Sequence, residues 1–341
     1  MKKQLNIVIG ISIFLCFLLL VSIISFNLKE SNAIIAEETS NEVDITKYDY
    51  NKSFDVSDFS FTKENTIDIP SKRYVNNAIS INDSDFKISD ELTQRIMSTI
   101  KEFGVSSSFY IVSLNDGMSI AYNVDKKYQT ASSIKAPYAL YIYEQIAQGK
   151  IDGEQKLTYT SRFYNKGTGV IKNSDPGTEY TIRDLVFYSL HESDNVAHTM
   201  LHRNFGVKGY NQMLKNLGAK ELYLTNHSPW GYTSCRSAAI IWQETLNFSV
   251  RDTEGITFLN ILSNGKYNYF KEVMPTIPSA SKTGFANADV VETGIVFDKS
   301  PYIAIAMANK GGHIGAYTQV LKLINLMNDI MNEYNTFKGI K

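Results

Sequence analysis

Apolar residues run almost without a break from Ile7 to Phe26, and as a helix this stretch rises about 30 Å, the thickness of a bilayer's hydrocarbon layer. The pattern predicts a cytoplasmic tip and transmembrane anchor over residues 1–28. Lys2 and Lys3 precede the run and acidic residues follow it, so the positive-inside rule sets the remainder of the chain outside the cell, as a single-pass membrane protein. The competing reading is a secretory signal peptide, cleaved near Ser31-Asn32-Ala33, which would make the protein secreted. The apolar run exceeds the roughly 7–15 residues usual for such a signal. Cys16 follows Leu15 rather than a small residue and the apolar run continues past it, which argues against lipidation.

From residue 29 to 86 the chain is polar, rich in Asn, Ser and Asp, and acidic, as in Asp55-Val56-Ser57-Asp58. This reads as a stalk that could hold a domain about 40 Å from the bilayer as a coil. Phe54, Phe59, Phe61, Ile67 and Ile69 leave open a strand docked on the folded body.

Residues 87–341 carry the periodicities of one folded domain. Ser89 or Asp90 caps a predicted helix with Leu92, Ile96, Ile100 and Phe103 on one face, ended by Gly104. Two strands, 109–112 and 118–122, flank the turn Asn115-Asp116-Gly117. A helical middle follows, in which Thr181 and Asp184 form a capping box ahead of Ile182, Leu185, Val186 and Leu190. Late strands at 290–297 and 302–308 alternate Ile303, Ile305 and Met307 with alanines, which leave room for a helix carrying Val320, Leu323, Ile324, Met327 and Ile330. The order predicts an α/β (α+β) fold: an antiparallel sheet built from N- and C-terminal strands, flanked by helices, with a helical subdomain.

With 43% hydrophobic residues the chain can bury a large core, and 34 basic against 35 acidic residues leave a net charge of −1, which argues against nucleic acid as a partner. Cys16 and Cys235 are the only cysteines, so no disulfide framework or four-cysteine zinc site can form.

Three short motifs carry candidate chemistry. Ser132-Ser133-Ile134-Lys135 puts an amine one helical turn from a hydroxyl. A serine needs a base, and a lysine serves only if burial or a second cation lowers its pKa from about 10.4, a full shift to neutrality corresponding to about 4.6 kcal/mol. Ser193-Asp194-Asn195 follows the capped helix, where Ser193 can relay a proton, Asn195 can bind a substrate amide and Asp194 can hold the turn through backbone groups. Lys282-Thr283-Gly284 opens the late strand region: Lys282 supplies the second cation, Thr283 can bind a substrate carboxylate, and Gly284 lets a substrate backbone approach the strand edge. Lys166-Gly167-Thr168-Gly169 resembles the last motif without its contiguous order and reads as a decoy. Singly, each motif has a plain reading as a helix cap, a polar turn or a strand end.

In this order and these settings the three motifs resemble those of the penicillin-recognising serine hydrolases, class A β-lactamases and penicillin-binding proteins, over about residues 87–335. The resemblance implies acylation of Ser132 by β-lactams or D-Ala-D-Ala-type wall peptides, with Lys135 as general base and Ser193 as proton shuttle. It further implies substrate contacts from Asn195, Lys282, Thr283 and Gly284, an oxyanion hole from the backbone N–H groups of Ser132 and Phe285, and no metal or cofactor. The chain departs from class A where a deacylating Glu is expected, since 226–235 contains no carboxylate. That departure favours a D,D-peptidase-like enzyme, or a binding and sensor domain with little turnover. His227 is the one residue of that loop able to act as a base near neutrality, though a loop histidine is more often structural. His198 and His202 stand four residues apart, but Thr199 occupies the place of the Glu of H-E-x-x-H, and no G-x-S-x-G elbow occurs.

Overall fold

Tyr302–Ala308 is buried along its whole length, because helices cover both faces of the sheet it centres. The computed structural model describes residues 80–81 and 85–340. The predicted anchor and the stalk residues Phe54 to Ile69 lie outside them. Among the described residues no helix is long and apolar enough to cross a membrane.

In chain order the elements are β1 (Ser80–Ile81), α1 (Asp90–Phe103), β2 (Ser107–Ser113), β3 (Ser119–Tyr122), β4 (Tyr128–Gln129), α2 (Lys135–Ala147), β5 (Lys156–Thr158), β6 (Glu179–Thr181), α3 (Ile182–Leu190), α4 (Asn195–Phe205), α5 (Lys208–Leu217), β7 (Tyr232–Thr233), α6 (Cys235–Arg251), α7 (Thr253–Ser263), α8 (Tyr269–Val273), β8 (Ser279–Ala286), β9 (Asp289–Val296), β10 (Tyr302–Ala308) and α9 (Gly312–Phe337). Six strands form one antiparallel sheet in the order β1-β3-β2-β10-β9-β8. Strands from both ends of the chain therefore meet at the β2–β10 seam, where Ile305 pairs with Tyr110.

Local chemistry sets the boundaries. Ser89 accepts from the Leu92 amide to start α1, and Gly104, at φ 58°, ends it. Thr181 and Asp184 exchange both bonds of the capping box at the start of α3. On one face of β10, Ala304, Ala306 and Ala308 share a core with Val320, Leu323, Ile324, Met327 and Ile330 of α9, the small side chains admitting the helix. On the other face α6 packs against the sheet.

Two pieces of the stretch read as stalk join this body. Ser80–Ile81 pairs with Ile120 and Ala121 at the sheet edge, and Phe86 packs edge-on against Tyr334, at 4.9 Å between ring centroids. The polar residues between these pieces masked that contribution in the sequence.

Candidate active site

Ser132 does not open a regular helix. It sits in a 3-10 turn, Ala131–Ile134, that runs directly into α2, and Ala131 before it takes φ 43°, a left-handed conformation that non-glycine residues avoid. The turn is braced from two sides. Thr130 exchanges bonds with Gly231, and β8 presses against it so closely that a Cβ on Gly284 would lie 2.2 Å from the Thr130 carbonyl oxygen and 2.8 Å from the Ser133 nitrogen. Gly284 also lines the cleft. The backbone that forbids it a side chain is the chain's own serine-bearing turn.

Lys135, fully buried, brings its Nζ to 2.9 Å from Ser132 Oγ, 2.5 Å from the Ser193 carbonyl, 2.7 Å from Asn195 Oδ1 and 3.2 Å from Ser193 Oγ. The Ser193 carbonyl and Asn195 Oδ1 can only accept. A neutral amine would donate its two hydrogens to them and turn its lone pair toward Ser132. Burial, and after it the charge of Lys282, holds the Lys135 ammonium well below the ordinary lysine value, while Asp194 pulls the other way.

Ser193 also adopts a left-handed backbone, φ 54°, and Asp194 explains how the turn is held. Its carboxylate accepts from four backbone amides: Val196 and Ala197 at the start of α4, and Val170 and Ile171 of the loop after β5. Those bonds support the anion, but burial outweighs them and raises its pKa.

Lys282, from β8, reaches the same hydroxyl from the other side, with Nζ 3.1 Å from Ser193 Oγ. Burial lowers its pKa to about 8 against the opposing pull of Glu292. Thr283 lines the recess together with Ser132 and Ser193. Its hydroxyl turns inward, 2.6 Å from Glu292 Oε2 and 3.1 Å from the Tyr267 carbonyl, because the buried carboxylate behind it needs a donor. Phe285, which lines the cleft with Ser132, extends an exposed ring against His313 at 4.4 Å. The three motifs, separated by 60 to 90 residues in sequence, thus surround one cleft of about 520 Å³ and the narrow recess beneath it.

Residues 91–334 match the family described as the beta-lactamase enzyme family. The chain belongs to that family. Its fold is shared with the beta-lactamase of Sphaerobacter thermophilus (TM-score 0.62, 19% identity, covering 70% of this chain and 96% of that one). It is likewise shared with PBP-A, a variant of which is known as an acyl-enzyme complex with penicillin G (TM-score 0.66, 18% identity, covering 71% and 97%). In sequence it resembles the beta-lactamase regulatory protein BlaB of Streptomyces cacaoi, 28% identical over 39% of this chain and 43% of that protein. It also resembles the beta-lactamase SME-1 of Serratia marcescens, 25% identical over 40% and 47%. The matched stretches span less than half of either relative.

Within this beta-lactamase family member, the loop before α6 is fastened by the two histidines of α4. His198 Nε2 donates to the Pro229 carbonyl at 2.9 Å and His202 Nε2 to that of Thr225 at 3.0 Å. Burial lowers His198 to about pKa 3, so it stays neutral, and its ring packs against Trp230 and Tyr138. The pair works as a clasp, and no cluster of metal-binding side chains occurs among the described residues. His227, weighed above as a base, is exposed and lines a different cavity from Ser132.

Three site residues escaped the sequence reading. Thr168, set aside as part of a decoy, donates to the Ser193 carbonyl at 2.7 Å, and its own carbonyl accepts from the Asn195 amide. Its glycine neighbours were the legible signal: a Cβ on Gly167 would collide with Asn195 Nδ2 at 1.9 Å and one on Gly169 with Asp194 at 2.2 Å. Trp230 lines the cleft and sits 5.4 Å from Lys135 Nζ, disfavouring bulk water there. Glu292, fully buried beneath Thr283, is raised by burial to a pKa of about 7.

Proposed function

We propose that this protein is an extracytoplasmic, membrane-anchored serine hydrolase that acylates Ser132 with β-lactams or D-Ala-D-Ala-type wall peptides. The carrying observation is Lys135 Nζ, buried and 2.9 Å from Ser132 Oγ, with its other contacts taken by acceptors. In this reading the lone pair of neutral Lys135 takes the Ser132 proton as Oγ attacks the carbonyl carbon. The oxyanion forms between the backbone N–H groups of Ser132 and Phe285. Ser193, within 3.2 Å of both amines, passes a proton to the leaving nitrogen. Lys282 supplies positive charge to a substrate carboxylate, and Asn195 meets the substrate amide. The run from residue 7 to 26 tethers the protein to the membrane.

Among the described residues no carboxylate lines the cleft, which supports an acyl-enzyme that hydrolyses slowly, closer to a D,D-peptidase than to a class A β-lactamase. The same feature, with the likeness to a regulatory protein, supports a second reading as a β-lactam or wall-fragment sensor with little turnover. A fluorescent penicillin followed over time tests both. Covalent label lost in Ser132→Ala is expected, and label retained by that variant refutes the nucleophile. A label that persists points to a sensor or a transpeptidase, hydrolysis of the β-lactam to a lactamase, and release of terminal D-Ala from a wall peptide to a carboxypeptidase.

A further inference from the structure

A second cavity, about 820 Å³, opens on the far side of the Pro229–Trp230 loop from Ser132. Asn195 lines the first cleft and Thr199 the second, one turn further along α4, so about 6 Å of helix axis separates them. Its walls are unusual for this chain. The protein as a whole balances its charges to −1, yet the cavity is lined by Lys156, Arg162 and Arg203 and by no carboxylate. Lys156 has a loose, exposed partner in Glu179 at 4.0 Å.

The arginines are arranged against their own repulsion. Both guanidinium groups sit over the ring of Phe163, at 4.6 Å for Arg162 and 5.8 Å for Arg203, which keeps them within about one Debye length of each other, roughly 10 Å. Arg203 Nη1 donates to the Arg162 carbonyl at 3.1 Å, which fixes one fork against the other's backbone. Neither meets an acid among the described residues. His202, also in the wall, adds no charge near neutrality, since burial lowers its pKa and the adjacent Arg203 does so further. Two oriented, acid-free guanidinium groups with hydroxyls beside them suit carboxylates, which they can grip in pairs of parallel hydrogen bonds.

We propose that this cavity is an anion subsite that holds the acidic part of a peptide substrate whose scissile amide lies at Ser132. The inference rests on the acyl-enzyme reading for the position of the amide, and goes beyond it in the substrate it selects. A peptide leaving the Ser132 cleft past Trp230 crosses the Pro229–Trp230 loop, whose two residues line the two cavities, and so comes to the second cavity. Its carboxylates then face Arg162 and Arg203.

The test uses full-length Ser132→Ala protein, tri-L-glutamate and the uncharged tri-L-glutamine as ligands, and calorimetric titration. Triglutamate is expected to bind at least about ten-fold more tightly than triglutamine at low salt, with the preference lost in Arg162→Gln/Arg203→Gln. In the protein with both arginines intact the preference should shrink as salt rises, a reading of the cavity's charge that needs no arginine substitution. Equal binding of the two peptides, binding of neither, a preference that survives the double substitution, or binding of tripolyphosphate without triglutamate overturns the proposal. Labelling of the wild-type protein by fluorescent penicillin is read separately. Label without glutamate preference rejects the subsite alone, and glutamate preference without label rejects the acylation reading alone.

Discussion

Lys135 and Lys282 share one hydroxyl: their Nζ atoms stand 3.2 and 3.1 Å from Ser193 Oγ, on elements more than a hundred residues apart. Two buried ammonium groups so close repel, and the repulsion falls on the more confined of them, Lys135.

This pairing predicts a bell-shaped pH profile for acylation. Lys135 must be neutral, so the rate rises with pH through its depressed pKa; Lys282 must be charged, so the rate falls as pH passes about 8. Lys282→Gln should remove the alkaline limb and move the acidic limb upward, because Lys135 then regains affinity for its proton. Rates of labelling between pH 5 and 10 check this, and an acidic limb unmoved in Lys282→Gln would contradict the coupling.

Lys135→Met should slow acylation by about a thousand-fold or more while leaving the fold intact, since a thioether of similar length fills the space but is far too weak a base to take the serine proton. Stopped-flow labelling, with melting temperature as the control for folding, measures it.

Gly284→Ala should cost both stability and labelling. Its Cβ would meet the Thr130 carbonyl at 2.2 Å, a backbone contact that only displacement of β8 or of the serine turn relieves. A loss of about 2 kcal/mol or more is expected, with acylation slowed more than in a surface control. An alanine variant with unaltered melting and kinetics would show that the two segments move apart freely.

Glu292 links stability to pH. Its folded pKa, about 7, lies above the usual unfolded value, so the native state holds the extra proton between those values and stability declines as pH rises through 7. Glu292→Gln should therefore stabilise the protein at pH 8, by up to about 3 kcal/mol, and change little at pH 4. Melting at the two pH values decides, and equal effects at both would remove Glu292 as the titrating group.

Thr168→Val should slow acylation by about ten-fold with little loss of stability. It deletes the bond that orients the Ser193 carbonyl, one of the two acceptors that occupy the hydrogens of Lys135.

Much of this arrangement was legible beforehand for a local reason. The caps at Ser89 and Thr181, the hairpin at Asn115-Asp116-Gly117 and the helical stripe of α9 each depend on neighbours within one or two turns. The serine and lysine of the first motif are likewise a turn apart. What stayed hidden depends on distant partners. Glu292 sits in a strand covered on both faces, where a lone acid reads as a solvent-facing position. Thr168 gains its role only when Asp194 binds the backbone of residues 170 and 171. The fate of Thr283 followed from Glu292, nine residues away along a hairpin whose register sets them opposite each other.

The strand pairing of Ser80–Ile81 has a mechanical consequence. β1 and β8 are the two outer strands of the six-stranded sheet, about 24 Å apart at the usual strand spacing. Any pull arriving through the segment before residue 80 is therefore delivered to the opposite margin from Lys282, Thr283 and Gly284. Four strands stand between that margin and the chemistry.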